Sequence, residues 1–196
     1  MADFKFTTTF ANTEPITKDE AKDYLRVSHS EDDTFIENLI STARETIEKD
    51  TNTSLVVNTY TEYLDGFPTA NGGIIELQVT GDLIGTGLPS ITYMSADSVT
   101  HDVTLTLNED FVLAEFRGRP RLQPINGWAT ARNLIGSVKI LYGVQPPNGI
   151  PLPLKQAMYL LISHFYDNRA PITYGSVKEM PLGYVKLIRP YKNFYF

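Results

Sequence analysis

Cysteine is absent from the 196 residues. Disulfides therefore contribute nothing to stability, and the composition suits a reducing compartment such as the cytosol. Long apolar runs are missing as well. The longest, Met158 to Ile162, falls far short of the ~20 residues that span a bilayer, so no membrane partner is expected. The opening MADFKFTTTF has no basic segment followed by an apolar stretch, so no secretory signal is expected. Basic runs are also lacking, and the formal net charge is -6. That balance excludes a clamp that grips nucleic acid through phosphate neutralisation, because such binders cluster Lys and Arg. The densest charge cluster is acidic, Glu31-Asp32-Asp33.

What remains is ordinary for a globular chain. Hydrophobic residues make up 42% and charged residues 20%, enough for one large domain or two small ones with a real core. Internal repeats and low-complexity segments are not seen.

The chain reads helical at both ends and β-rich between them. Thr17 and Glu20 are spaced as a capping box, which opens a short helix running to about Val27. Ser30 then starts a second helix with acidic residues in its first turn, where they suit the helix dipole. Phe35, Ile36, Leu39, Ile40, Ala43 and Ile47 form one apolar stripe on it. From residue 55 short Val-, Ile-, Thr- and Tyr-rich runs alternate with turn residues. Strands are expected at Val56–Tyr63, Ile74–Val79, Ile91–Met94, Val103–Leu107, Phe111–Leu113 and Val138–Tyr142. Helix returns at Leu152 or Pro153, with Leu154, Ala157, Met158, Leu161, Ile162 and Phe165 as its buried face, and Pro171 forbids its continuation. A last short helix starts at Pro181-Leu182 and ends before Pro190. The expected class is α+β: a helical unit from both ends of the chain (16–54 with 150–190) and a β-rich insertion (55–149), an antiparallel sheet or small sandwich. An arm (1–15) and an aromatic tail (191–196) flank them.

Chemistry-bearing constellations are sparse. Gly81 to Gly87 lacks the Lys and the register of a phosphate loop, so its glycines serve turns. There is no Gly-x-Ser-x-Gly elbow. Asp65, Glu76, Asp82, Asp97 and Glu115 could in principle supply an acid pair, but nothing in the sequence brings two of them together. His164 and Asp167 offer two ligands where zinc needs three or four. His29 reads as a loop and helix-cap residue, and His101-Asp102 sits in a turn without a third partner. No catalytic residue, cofactor or metal is expected.

Candidate interfaces are easier to name. Arg117, Arg119 and Arg121 alternate and would share one face, suited to bidentate pairing with carboxylates of a neighbouring subunit. Tyr191, Phe194, Tyr195 and Phe196 crowd aromatics into the C-terminus, either as a partner interface or folded back on the chain's own helices. Phe4, Phe6 and Phe10 occupy alternate positions of the arm, the period of a strand that could add to a neighbour's sheet, unless the arm is disordered.

Taken together, Ile16 to Asn52 (ITKDEAKDYLRVSHSEDDTFIENLISTARETIEKDTN), the Ser163-to-Arg169 stretch SHFYDNR, Pro181-Leu182-Gly183 and Pro190-Tyr191 resemble, in order and spacing, the head–tail connector (adaptor) proteins of tailed bacteriophages. Asp110 to Leu113 and Gly118 to Leu122 resemble the strand pair of that family's longer members. Lys192 to Phe196 has no counterpart in the pattern.

The resemblance implies a structural virion protein of the neck, assembled in the host cytoplasm. It implies a homo-oligomeric ring, expected to be twelve-fold, under the portal protein. The ring would join the next neck or tail-completion protein, with DNA passing through its channel without sequence-specific binding. An acidic wall fits such a conduit, since it would not trap DNA. Phe35 and Leu39 of the second helix, the three arginines and the aromatic tail are the expected contact residues, the tail reaching the portal. The alternative is a β-sandwich binding module with helical flanks, in a virion or at a cell surface.

Overall fold

Thr17 caps the first helix as its spacing requires: its hydroxyl accepts from the Glu20 amide at 3.2 Å, and the Glu20 carboxylate accepts from the Thr17 amide at 2.8 Å. This helix, α1, spans Lys18–Leu25 and stops where Arg26 turns left-handed at φ 59°, slightly before Val27. The helix α2 spans Asp33–Thr51. Ser30 does not open it. Residues 30–32 make a separate turn, and Asp32 is the N-cap without spending its side chain on the cap.

The computed structural model describes residues 9–10, 13–79, 81–83, 89–116, 119–146, 149–169 and 182–192. A two-residue strand, β1 (Thr9–Phe10), precedes α1. After α2 come β2 (Asn58–Leu64), β3 (Ile75–Glu76), β4 (Asp82–Leu83), β5 (Ser90–Tyr93), β6 (Val103–Leu105), β7 (Phe111–Phe116), β8 (Arg119–Pro124) and β9 (Val138–Gln145). The described chain ends in α3 (Leu152–Asp167), α4 (Leu182–Ile188) and a short 3-10 turn, Arg189–Tyr191. The class is α+β, with helices from both ends of the chain packed together and antiparallel strands between.

The chain folds as two compact units, Met1–Ala11 with Val56–Pro146 and Asn12–Leu55 with Pro147–Phe196. In the helical unit, α2 packs on α3, which also carries α4 and part of α1. Its core takes the stripe of α2 (Ile36, Leu39, Ile40, Ala43, Ile47) and that of α3 (Leu154, Ala157, Met158, Leu161, Ile162). These are the i, i+3, i+4 positions on which amphipathic helices bury their apolar faces.

The β unit holds two sheets. One runs β1-β2-β9-β5-β6, with β4 also on β9; the other runs β3-β8-β7. All the paired strands are antiparallel. Strand β9 is the spine, pairing along all of β2 and, on its other edge, with β4 and β5. Alternate residues Val138, Ile140, Tyr142 and Val144 point into a core shared with Ile75, Phe111 and Leu122 of the second sheet. Several expected strands are shorter than their apolar runs. Of Ile74–Val79 only Ile75–Glu76 forms a strand, opposite Leu122 and Arg121 of β8. By contrast β9 reaches Gln145, three residues beyond the expected end.

Candidate assembly interface

The two acids that begin α2 are both held. Asp33 takes Lys22 at 2.6 Å and Lys18 at 3.0 Å, which pins α1 to the start of α2. Asp32 receives Arg169 through both terminal nitrogens, at 3.2 and 2.7 Å, and the Tyr166 hydroxyl at 2.5 Å. These charge-assisted hydrogen bonds hold the Asp32 carboxyl well below its ordinary range, at about 2. The Arg169 guanidinium also lies over two rings, 4.6 Å from the centre of Phe35 and 4.4 Å from that of Tyr166. Phe35 is thus half-buried under the end of α3, and Leu39 faces inward at 8% exposure.

A second polar hub sits deeper. Arg44, buried on α2, donates to Glu14 and Glu48, each at 2.8 Å. Glu48 also accepts from the Leu55 amide at 2.8 Å, which ties the chain leaving α2 to the helix it has just left. At the far end of α2, Asp50 accepts from the Tyr184 hydroxyl of α4 at 2.8 Å. Burial and that carboxylate push the Tyr184 hydroxyl up. Tyr191, expected at an interface, is half-buried against the helical core.

Large apolar side chains remain exposed on the helical unit: Tyr24 on α1, Leu152 at the start of α3, and Leu182 and Val185 on α4. Tyr24 stacks on Tyr159 at 4.9 Å between centroids.

In the β unit, Arg121 stands opposite Glu76 in the β8–β3 register and forms an ion pair with it. A carboxylate of its own chain thus occupies the residue expected to reach a neighbour. The Arg117 position, the Arg119 side chain and Phe194, Tyr195 and Phe196 lie outside the described residues. So do Phe4 and Phe6 of the arm, while Phe10 of β1 pairs with Asn58. An open groove of about 560 Å³ is lined by Phe67, Pro68, Gly72, Gly73, Trp128 and Ala131, among others. Trp128 stacks on Phe67 at 4.9 Å and donates its indole N–H to the Gly73 carbonyl.

Acid–base machinery does not converge among the described residues. Glu62, fully buried on β2, accepts from the Tyr142 hydroxyl and from the Gln78 amide at 2.9 Å, a packing role. The Asp102 carboxylate accepts from Ser95, and His101 Nε2 lies 2.9 Å from the Gly136 carbonyl. His164 meets Asn168 rather than Asp167. Among the described residues no group of three or more His, Asp or Glu is placed to hold a metal.

Sequence reasoning does not foresee the Asp32–Arg169 tie. Both residues lie in the segments that carry the family resemblance, but their pairing across the length of the chain leaves no local pattern.

Comparison with known proteins bears on these helices directly. Residues 16–77, which contain α1, α2, β2 and β3, match the family described as phage gp6-like head-tail connector protein. Over those residues the chain is similar to that head–tail connector family. The family is structural, not enzymatic. No curated protein sequence matches the chain.

Solved structures extend the likeness in fold to almost the full length. One is a chain in the neck of an empty gene transfer agent particle, computed with C6 symmetry: TM-score 0.71, 18% identity, covering 97% of each chain. A second belongs to the virion of a native gene transfer agent particle, with TM-score 0.70, 18% identity and 96% of each chain covered. A third lies in the neck of the native particle computed with C12 symmetry, with TM-score 0.68 and 17% identity, covering 98% of this chain and 97% of that one. At these identities the likeness is one of fold.

Proposed function

We propose that this protein is a head–tail connector, a neck subunit of a phage-like particle whose copies form a ring beneath the portal and join capsid to tail. The observation that carries the reading is the family match over α1 and α2 together with a fold shared almost end to end with neck chains of gene transfer agent particles. The symmetries of those necks support a ring of the same kind here, lined so that DNA passes without being gripped. The acidic balance of the chain suits that passage, since a net charge of -6 releases no counterions from DNA. Among the described residues of the helical unit nothing resembles a reaction centre. Its polar contacts lock one helix end to another, which is what a subunit needs to hold its shape under load.

The portal is the proposed neighbour on one side and the next neck protein on the other. Within this reading the aromatic tail, residues 191–196, reaches the portal. The deciding experiment adds purified protein to DNA-filled particles that lack a tail and images the portal vertex by electron microscopy. Ring-shaped density beneath the portal is expected. Bare portals, with folded protein in excess and matched particles, would overturn the reading.

A further inference from the structure

Resting on the ring proposed above, we infer that neighbouring copies join head to tail through two charge-complementary surfaces of the helical unit. The basic, partly apolar face of α4 on one copy meets the acidic outer face of α1 on the next.

The α4 face is unusual for this acidic chain. Residues 182–192 contain Lys186, Arg189 and Lys192 and no acid. Tyr184 and Ile188 bury the inner side of the helix, which leaves Leu182, Val185 and Lys186 exposed on it and Arg189 exposed in the 3-10 turn that follows. Leu182 is 78% exposed. Among the described residues no carboxylate pairs with any of the three cations. A face that exposes two aliphatic side chains beside positive charge fits an acidic partner with an apolar centre.

The α1 face has that character. Lys18 and Lys22 turn inward to Asp33, and Glu20 is occupied by the cap on Thr17. Outward point Asp19 and Asp23, exposed and without an ion pair among the described residues, beside the 40% exposed Tyr24. Asp19 and Asp23 are separated by one helical turn, as are Lys186 and Arg189. The two charge pairs therefore have matching separations of roughly 5–6 Å.

The two faces lie on different helices of the unit, α1 tied to α2 at Asp33 and α4 tied to it at Asp50. A contact between unlike patches is heterologous, and repeated with a constant rotation it closes a ring. Single exposed ion pairs contribute little, so each junction is weak and salt-sensitive, with Tyr24 against Leu182 and Val185 supplying apolar burial.

Sedimentation velocity of the full chain over a concentration series, at low and high salt, tests this. Wild type should self-associate, and less so in salt. The variants K186E/R189E and D19K/D23K should each keep the wild-type melting temperature, since all four positions are exposed, and each weaken association by about tenfold or more. Mixing the two variants, or combining all four changes in one chain, should restore it. In a mixture of unlabelled and 15N-labelled wild type, zero-length carbodiimide coupling should yield mixed-isotope links from Asp19 or Asp23 to Lys186 or Lys192. A strictly monomeric wild type, variants that associate normally, loss without rescue, or links confined to other residues would each overturn the inference. If the charge-reversed variants still build normal density at the portal vertex, the connector reading stands and only this junction falls.

Discussion

Asp32 and Arg169 lie 137 residues apart in sequence, yet they meet in a two-pronged ion pair with nitrogen–oxygen distances of 3.2 and 2.7 Å. The pair fastens the beginning of α2 to the chain just past α3, and Tyr166 completes it with a hydroxyl at 2.5 Å. Its pH dependence follows from the carboxyl being lowered from 3.8 to about 2 in the folded chain. The folded state then releases this proton more readily than the unfolded one, so the contribution is present above 3.8 and is lost as pH falls toward 2. Asp32→Asn should lower the melting temperature at neutral pH and flatten its fall across that acid window. Arg169→Lys should lower it as well, because an ammonium can neither fork to two oxygens nor lie flat on Phe35. Thermal melts from neutral pH down to about 2 would read both. A wild-type-like acid limb in Asp32→Asn would remove the pair from the stability account.

Glu62 shows the opposite sign. It is fully buried in the β core, with Tyr142 and the Gln78 amide both on Oε1 and no hydrogen-bond partner at Oε2 among the described residues. Burial raises its carboxyl above the ordinary 4.5, and the two hydrogen bonds oppose that rise only in part. The folded chain therefore holds the proton more tightly than the unfolded chain. The associated stability is full below 4.5 and is lost as pH climbs through the raised folded value. Glu62→Gln imitates the neutral acid. It should melt within about 1 kcal/mol of wild type in acid and gain on wild type as pH rises to neutral. A constant difference across the range would mean that Glu62 titrates normally in the fold.

Local rules make the helices legible. The Thr17–Glu20 spacing marks the α1 start, and the stripes of α2 and α3 become the helical core almost residue for residue. Every apolar run of the middle segment contains a strand, because β-branched and aromatic side chains fit a pleated, half-buried surface. Pairing is not legible. Glu62 faces Ile140 and Arg121 faces Glu76 only because separated strands settle beside one another in register. The start of α2 escapes local rules for a related reason: Ser30 has the side chain of an N-cap, but Asp32 takes that position and spends its carboxylate on Arg169. Strand β8, Arg119–Pro124, carries two prolines, yet with β7 it falls where the resemblance implies a strand pair. Leu77 donates to the Pro120 carbonyl, which needs no proline N–H. The basic face of α4 leaves no sequence signal, because three cations spread over seven residues do not form a run.

Core packing offers a direct comparison of buried and exposed apolar positions. Leu161 on α3 has no exposed surface, whereas Ile135, in the loop before β9, is 86% exposed. Leu161→Ala should cost about 2–5 kcal/mol, combining lost burial with the cavity left between α2 and α3. Ile135→Ser should stay within about 0.5 kcal/mol of wild type. Urea unfolding of the two variants would measure both. A costly Ile135→Ser would show that this loop is covered in solution, and a cheap Leu161→Ala that the helices close over the gap.

Gly73 sits where a side chain would be opposed twice. Its φ of +76° lies in the left-handed region, and a Cβ there would come within 2.9 Å of the Trp128 indole, whose N–H bonds the Gly73 carbonyl. Alanine would meet backbone strain of roughly 1–2 kcal/mol and would also have to push the indole aside. The ring cannot yield freely, since it stacks on Phe67 at 4.9 Å and leans on Phe111 at 6.1 Å. Gly73→Ala should therefore destabilise the β unit by more than the strain alone and loosen the wall of the groove beside it. Trp128 is the sole tryptophan of the chain, so its emission reports this site without interference. A red shift and easier quenching by iodide in the folded variant are expected. Unchanged emission with a normal melting temperature would mean that the 70–73 turn moves away from the indole instead, and that the Trp128–Gly73 hydrogen bond does not hold the groove wall in place.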